Sequence, residues 1–191
     1  MKKSGKIKVA VYITLVILIG STIAYLDLSK ADRSHVPANL YPERQVEKIT
    51  FVNKFDISKE KMFESVTDIS TYPHVLPRNV ISVNILEQSE NEIIAEEKFI
   101  ELGIKVNLKV KHTILPYEQH IIEIIEGDAS GTKIIQTFEE ENNLTKITTD
   151  VDLDLKGLLS PFGFLPRGNM ESAMNTALAS FVEYSQRYDD E

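Results

Sequence analysis

From Val80 to Lys156 apolar and polar residues alternate with a period of two, and from Asn169 to Tyr188 the apolar positions recur every three or four residues. The first pattern sends successive side chains to opposite faces of a strand, and the second gathers them along one side of a helix. Strands are predicted at Val80 to Glu87, Glu92 to Ile100, Ile104 to Leu115, Gln119 to Glu126, Thr132 to Glu139 and Leu144 to Lys156. The links between them are short and hold turn formers: Ser89-Glu90-Asn91, Leu102-Gly103, Pro116-Tyr117-Glu118, Gly127 to Gly131 and Glu141-Asn142-Asn143. Links of that length make antiparallel neighbours. Upstream, Val46 to Phe55 alternates with Ile49, Phe51 and Phe55 on one face and predicts a further strand. Asp56 or Ser58 then caps a helix over Lys59 to Thr67 that carries Met62, Phe63 and Val66 on one side. Asp68 to Val75 predicts a second short helix, broken at Tyr72-Pro73 and stopped by Leu76-Pro77.

Two strands show their faces most cleanly. Ile104, Val106, Leu108, Val110 and Ile114 oppose Lys105, Asn107, Lys109, Lys111 and Thr113, while Ile147, Val151, Leu153 and Leu155 oppose a row of Lys, Thr and Asp. One side of the sheet therefore faces water and the other is covered. The cover is the final helix, whose Met170, Ala173, Met174, Ala177, Leu178, Phe181 and Tyr184 form one stripe, with Glu171, Asn175, Ser180, Glu183 and Arg187 turned away. A long helix laid on a curved sheet leaves a gap where the sheet bends from it, and such gaps hold ligands. The expected wall of that gap is Phe51, Phe55, Ile93, Phe99, Val106, Leu108, Val110, Ile122, Ile124, Ile134, Phe138, Val151 and Leu153, faced by Met170, Met174, Ala177 and Phe181. Its mouth falls to the segment 157–168, where Leu158, Leu159, Phe162, Phe164 and Leu165 lie among glycines and prolines. That loop is too apolar for a surface turn; it either plugs the end of the core or forms a hinged lip over the opening that touches a bilayer.

Composition adds an appendage to this domain. The first eight residues hold Lys2, Lys3, Lys6 and Lys8, and Val9 to Leu26 follow without a charge. At 1.5 Å per residue that run spans about 27 Å, near the thickness of a bilayer core. The chain thus divides into a basic cytoplasmic tail at 1–8, a transmembrane helix at 9–28, a polar, proline-containing linker at 29–45 and a folded domain at 46–191. Lysines before the apolar run and balanced charge after it keep the amino terminus in the cytoplasm and put the domain outside the cell membrane. A cleaved signal peptide is the competing explanation, although the apolar run is long for one. The whole chain of 191 residues carries a net charge of −8, and the four leading lysines conceal a stronger excess of acid in the remainder, which would repel a phosphate backbone; nucleic acid is excluded as a partner. The absence of Cys excludes disulfides, thiolate catalysis and Cys-based zinc sites.

Polar residues on the covered face carry the candidate chemistry. His112 interrupts the apolar row of its strand, Gln136 lies between Ile134 and Phe138, Asn53 between Phe51 and Phe55, and Glu97 between Ala95 and Phe99. A bulge would turn Glu96 inward in place of Glu97. Buried, each must find a hydrogen bond or shift its pKa. His112 is either a satisfied core histidine or a contact for a polar head group, and a lone His makes no metal site. Asp150, Asp152 and Asp154 lie about 6.7 Å apart along a strand, too spread to wrap one ion, and form a solvated face. No metal and no cofactor is expected.

The order of elements, a strand, two short helices, six strands and a closing helix, resembles the helix-grip α+β fold of the START/SRPBCC superfamily. Tyr72-Pro73-His74-Val75-Leu76-Pro77 is similar to its Y-P-x-x-L-P segment, and Ile125-Glu126-Gly127-Asp128 followed by Thr137-Phe138-Glu139 to its E-G-x and x-F-x strands. Asp150 to Leu159 is similar to its closing passage into the last helix. The branch most resembled is the polyketide cyclase/dehydrase and lipid transport group that includes coenzyme Q-binding START proteins. The resemblance implies a strand order with the first strand at one edge beside the seventh and the second at the other edge. It also implies binding of a hydrophobic small molecule, a lipid, quinone or isoprenoid, under the long helix. Two alternatives stand beside a membrane-anchored carrier: a cyclase/aromatase-like enzyme in which His112, Glu97 or Gln136 positions the substrate, and an envelope interaction module that uses the acidic sheet face.

Overall fold

The computed structural model describes residues 48–101, 104–156, 159 and 167–188. The expected membrane helix at 9–28, the linker at 29–45, and Leu158, Phe162, Phe164 and Leu165 of the apolar loop lie outside them. Among the described residues no helix is long and apolar enough to cross a membrane.

The alternation seen in the sequence becomes a seven-stranded antiparallel sheet in the order β1-β7-β6-β5-β4-β3-β2. Its strands are β1 (Ile49–Phe55), β2 (Val80–Gln88), β3 (Glu92–Glu101), β4 (Ile104–Leu115), β5 (Gln119–Glu126), β6 (Lys133–Glu141) and β7 (Leu144–Asp152). Consecutive hairpins run from β2 to β7, and β1 closes the far edge on β7, so the two edges are those the resemblance implies. Asn142 and Asn143 both take positive φ, which gives the β6–β7 hairpin the two-residue turn that matches strand twist. β7 ends at Asp152, four residues short of the alternation that extends to Lys156. There Lys156 turns its backbone N–H to Asp128 rather than to a neighbouring strand.

α1 (Lys59–Thr67) begins at Ser58, whose hydroxyl accepts from the Lys61 N–H, and buries Met62, Phe63 and Val66. The second predicted helix is split as Tyr72-Pro73 suggests, into a 3₁₀ turn at Ile69–Thr71 and α2 (Tyr72–Val75), with Pro73 in the first turn, where a missing N–H does no harm. α3 (Arg167–Tyr188) lies across the covered face of the sheet and packs on α1, α2 and β1. Register shifts between Lys109 and Val110 on β4, and at Val80/Ser82 and Ile85/Glu87 on β2, bend the sheet around it. Gly127, at φ 105, closes the end of β5 against β4, where a Cβ would sit 2.8 Å from both Asn107 O and Leu108 Cδ2.

Core residues come from every element. Met170, Ala173, Met174, Ala177, Leu178 and Phe181 of α3 are buried, and Tyr184 is partly so. Phe63 meets Phe138 edge to face at 5.1 Å, and Tyr72 meets Phe181 in the same way at 5.4 Å, which fixes α1 and α2 between the sheet and the long helix. Asn175 is exposed on α3, but its side-chain oxygen accepts from Asn53 Nδ2 at 3.1 Å and ties the helix flank to β1.

Candidate functional site

The apolar wall expected from the alternation is buried where it should be. Phe99, Val106, Leu108, Val110, Ile122, Ile124, Ile134, Phe138, Val151 and Leu153 line the inner face of the sheet, and Met170, Met174 and Phe181 face them from α3. Phe55, at the end of β1, is only partly buried. Of the apolar loop, Leu159 is described, and it is packed into the core.

A connected row of polar side chains crosses this wall. Glu97, His112 and His120 are each 0 % exposed, and Gln136 and Thr149 are as deeply buried. His112 Nε2 lies 2.8 Å from Glu97 Oε1 and its Nδ1 lies 3.0 Å from His120 Nε2; the two rings stack 5.2 Å apart. Sheet register continues the row, because His120 pairs with Gln136 and Gln136 with Thr149. Glu97 is the inward residue and Glu96 is exposed, since β3 and β4 pair without a bulge along their length.

Donor and acceptor roles along the row depend on the tautomer of each ring. In the arrangement where Glu97 accepts, His112 donates from Nε2, its Nδ1 accepts from His120 Nε2–H, and His120 Nδ1 keeps a bare lone pair. Glu97 Oε2, His120 Nδ1, Gln136 Oε1, Thr149 Oγ1 and Asn53 Oδ1 have no hydrogen-bond partner among the described residues. Gln136 approaches His120 closely enough to favour its protonated ring, yet the two unpartnered atoms do not reach bonding geometry. An unsatisfied buried polar atom costs about 1–3 kcal/mol. Other buried polar groups avoid that cost by closing onto the backbone: Tyr72 Oη donates to Val66 O at 2.8 Å, and Thr145 Oγ1 to Ile57 O.

Burial pushes the His120 ring well below its ordinary pKa of 6.5, and the neighbouring His112 adds to the effect. Burial, then Glu97, then Asp68 push the Tyr72 phenol well above its ordinary value, so it stays a neutral donor. The first shift has a consequence for stability. Below about pH 6.5 the unfolded His120 takes up a proton that the folded ring refuses, so stability falls as pH is lowered, by about 1.4 kcal/mol per unit until the folded pKa is reached. Urea midpoints between pH 7.5 and 5 are expected to fall with this slope, and His120→Asn to flatten it; a profile that is the same in both proteins contradicts the burial argument.

The acidic row along β7 and just beyond its end is engaged piecemeal: Asp150 accepts from Thr50, and Asp154 pairs with Lys156 at 2.9 Å. Among the described residues no group of three or more His, Cys, Asp or Glu is placed to hold a metal ion. His120 and Thr149 are the site residues that the sequence analysis passed over. The signal was parity, since His120 precedes the inward Ile122 and Ile124 by even steps and Thr149 precedes Val151 by two.

A curved antiparallel sheet gripping one long helix, with an apolar inner wall and a buried polar row, defines a helix-grip domain. Residues 56–182 match the family described as polyketide cyclase / dehydrase and lipid transport, and the chain belongs to that family. None of the curated proteins matches it in sequence. Solved structures do share its fold. The Thermus thermophilus protein TTHA0849 superposes with a TM-score of 0.64 at 13% identity, covering 74% of this chain and 99% of its own. The Zhui aromatase/cyclase of Streptomyces sp. R1128 gives 0.59 at 11% identity, with 74% and 94% covered. A START superfamily protein of Mycobacterium smegmatis gives 0.54 at 14% identity, with 75% and 97% covered. At these identities the likeness is one of fold.

Proposed function

We propose that this domain binds a hydrophobic molecule with a polar head, a lipid, quinone or isoprenoid, between α3 and the inner face of the sheet. The observation that carries the proposal is the row Glu97–His112–His120–Gln136–Thr149, whose unpartnered atoms lie inside an otherwise apolar wall. A carbonyl or hydroxyl brought in by a ligand would satisfy them, and its tail would gain about 25 cal/mol per Å² of apolar surface covered. Met170 and Met174 give the helix side of that wall an adaptable surface. Membership of a family that includes lipid transport supports the same conclusion. The uncharged run at 9–26 behind four lysines supports an anchored arrangement, amino terminus in the cytoplasm and domain outside, with the loop at 157–168 as the lip through which ligand passes to or from the bilayer.

The test is solvent extraction of the purified full-length protein followed by mass spectrometry. One class of apolar compound bearing a carbonyl or hydroxyl is expected near one equivalent per chain; extracts indistinguishable from those of an unrelated membrane protein would overturn the proposal. A second reading, an enzyme of the cyclase or aromatase type, is favoured by the direct contact of Glu97, His112 and His120 at one place in the wall, where acid–base catalysis needs its groups together. Conversion of the extracted compound, lost in His112→Ala, separates the enzyme from the carrier.

A further inference from the structure

The chain of contacts Glu97–His112–His120 has an unusual property: every nitrogen and oxygen within it is paired and both of its ends are open. A structural network closes its ends on backbone groups, as Tyr72 and Thr145 do. One end, Glu97 Oε2, has no partner among the described residues, and its carboxylate is 0 % exposed on the inner face of the sheet. The other end, His120 Nδ1, belongs to the inner row beside Gln136.

We propose that Glu97, His112 and His120 form a proton relay, and that the ligand of the inner site carries a weakly acidic hydroxyl, a phenol or an enol, which gives its proton to His120 Nδ1. This rests on the ligand-binding proposal above and specifies the head group. As the hydroxyl proton reaches His120 Nδ1, the proton on His120 Nε2 passes to His112 Nδ1. His112 becomes an imidazolium 2.8 Å from the Glu97 carboxylate, and the ligand is left as an oxyanion. Two protons have each crossed one hydrogen bond, the net result is one proton carried from the ligand to His112, and no net charge has been created. The positive charge settles on the ring that has a carboxylate beside it, and His120, whose surroundings disfavour a cation, holds none. Among the described residues the other titratable group facing the rings is Tyr72 from α2, with Asp68 behind it; Gln136, Thr149 and the buried side chains of α3 bring no charge. His120 is the group that meets the ligand, and His112 and Glu97 position and charge it.

Two measurements on the full-length protein test the relay. In the first, binding of 2-naphthol is compared with that of naphthalene, and naphtholate is followed by its absorbance as pH is raised. Bound naphthol is expected to ionise at lower pH than the free probe, and in Glu97→Gln and His112→Asn the ratio of naphthol to naphthalene affinity is expected to fall about tenfold, the worth of a hydrogen bond to a charged group. Naphthalene binding accompanied by naphthol that ionises as it does in water overturns the inference and leaves the binding proposal standing. The binding proposal stands or falls by solvent extraction, and the second measurement tests the relay without a probe. There, nitrogen NMR follows both rings during an acid titration. The relay predicts a single protonation shared by the pair, with His120 changing from the Nε2–H to the Nδ1–H tautomer, and loss of that coupling in Glu97→Gln. Two rings that titrate independently, with no change of tautomer, contradict it. Glu97→Gln keeps the side-chain shape, so the test survives should His112→Asn fail to fold.

Discussion

His112→Leu is expected to lower the stability of the domain by about 3–5 kcal/mol, the usual cost of stranding one member of a buried, hydrogen-bonded pair. Glu97 is the reason. Its carboxylate is fully buried, its Oε1 lies 2.8 Å from His112 Nε2 and its Oε2 has no other partner, so removing the ring leaves the acid with nothing. Replacing both residues, Glu97→Leu with His112→Leu, is expected to return much of the loss, because two apolar side chains leave no uncompensated group. Guanidinium unfolding at pH 7 of the wild type, the single variant and the pair checks the order. A single variant within about 1 kcal/mol of wild type, the typical net worth of a neutral hydrogen bond, would mean that the contact carries little.

Phe181→Ala is the second large effect. The ring is 0 % exposed, meets Tyr72 edge to face at 5.4 Å, and belongs to the stripe that holds α3 on the sheet; the carbonyl of the same residue accepts from Ser65 Oγ of α1. Truncating a buried Phe costs about 3–5 kcal/mol, a large share of the roughly 5–15 kcal/mol by which a domain is stable. The loss should appear as an earlier denaturation midpoint with an unchanged slope. A changed slope would show that the helix had left the sheet in the folded state, and a midpoint like that of the wild type would show that Phe181 is not a core residue.

Much of this could be read from residue order because a period-two pattern specifies register strongly wherever one face is buried. Ile104 to Leu115 shows it best: the strand has the expected bounds, with His112 on the inner face between Val110 and Ile114. Gln136, Asn53 and Glu97 follow from the same rule, and the choice between Glu97 and Glu96 needed only the pairing of β3 with β4. Who touches whom was not legible. His112 and His120 lie on neighbouring strands whose pairing contains a register shift at Lys109/Val110, and a bulge leaves no mark in a run of alternating residues. His112 pairs in register with Ile93, four residues from Glu97 along β3, so their side chains meet only because the sheet is bent. Spacing places Asn175 on the far side of its helix and says nothing of how far a side chain reaches to a flank.

The measurement that bears most directly on the central claim is the nitrogen NMR signal of His120 Nδ1 while the compound extracted from the protein is added back to it. The signal is expected to move from that of a bare ring nitrogen to that of one hydrogen-bonded or protonated, saturating together with binding and doing so less in Gln136→Leu. A compound that binds fully while this nitrogen keeps its signal would place the ligand elsewhere and reduce the buried row to a structural feature of the fold.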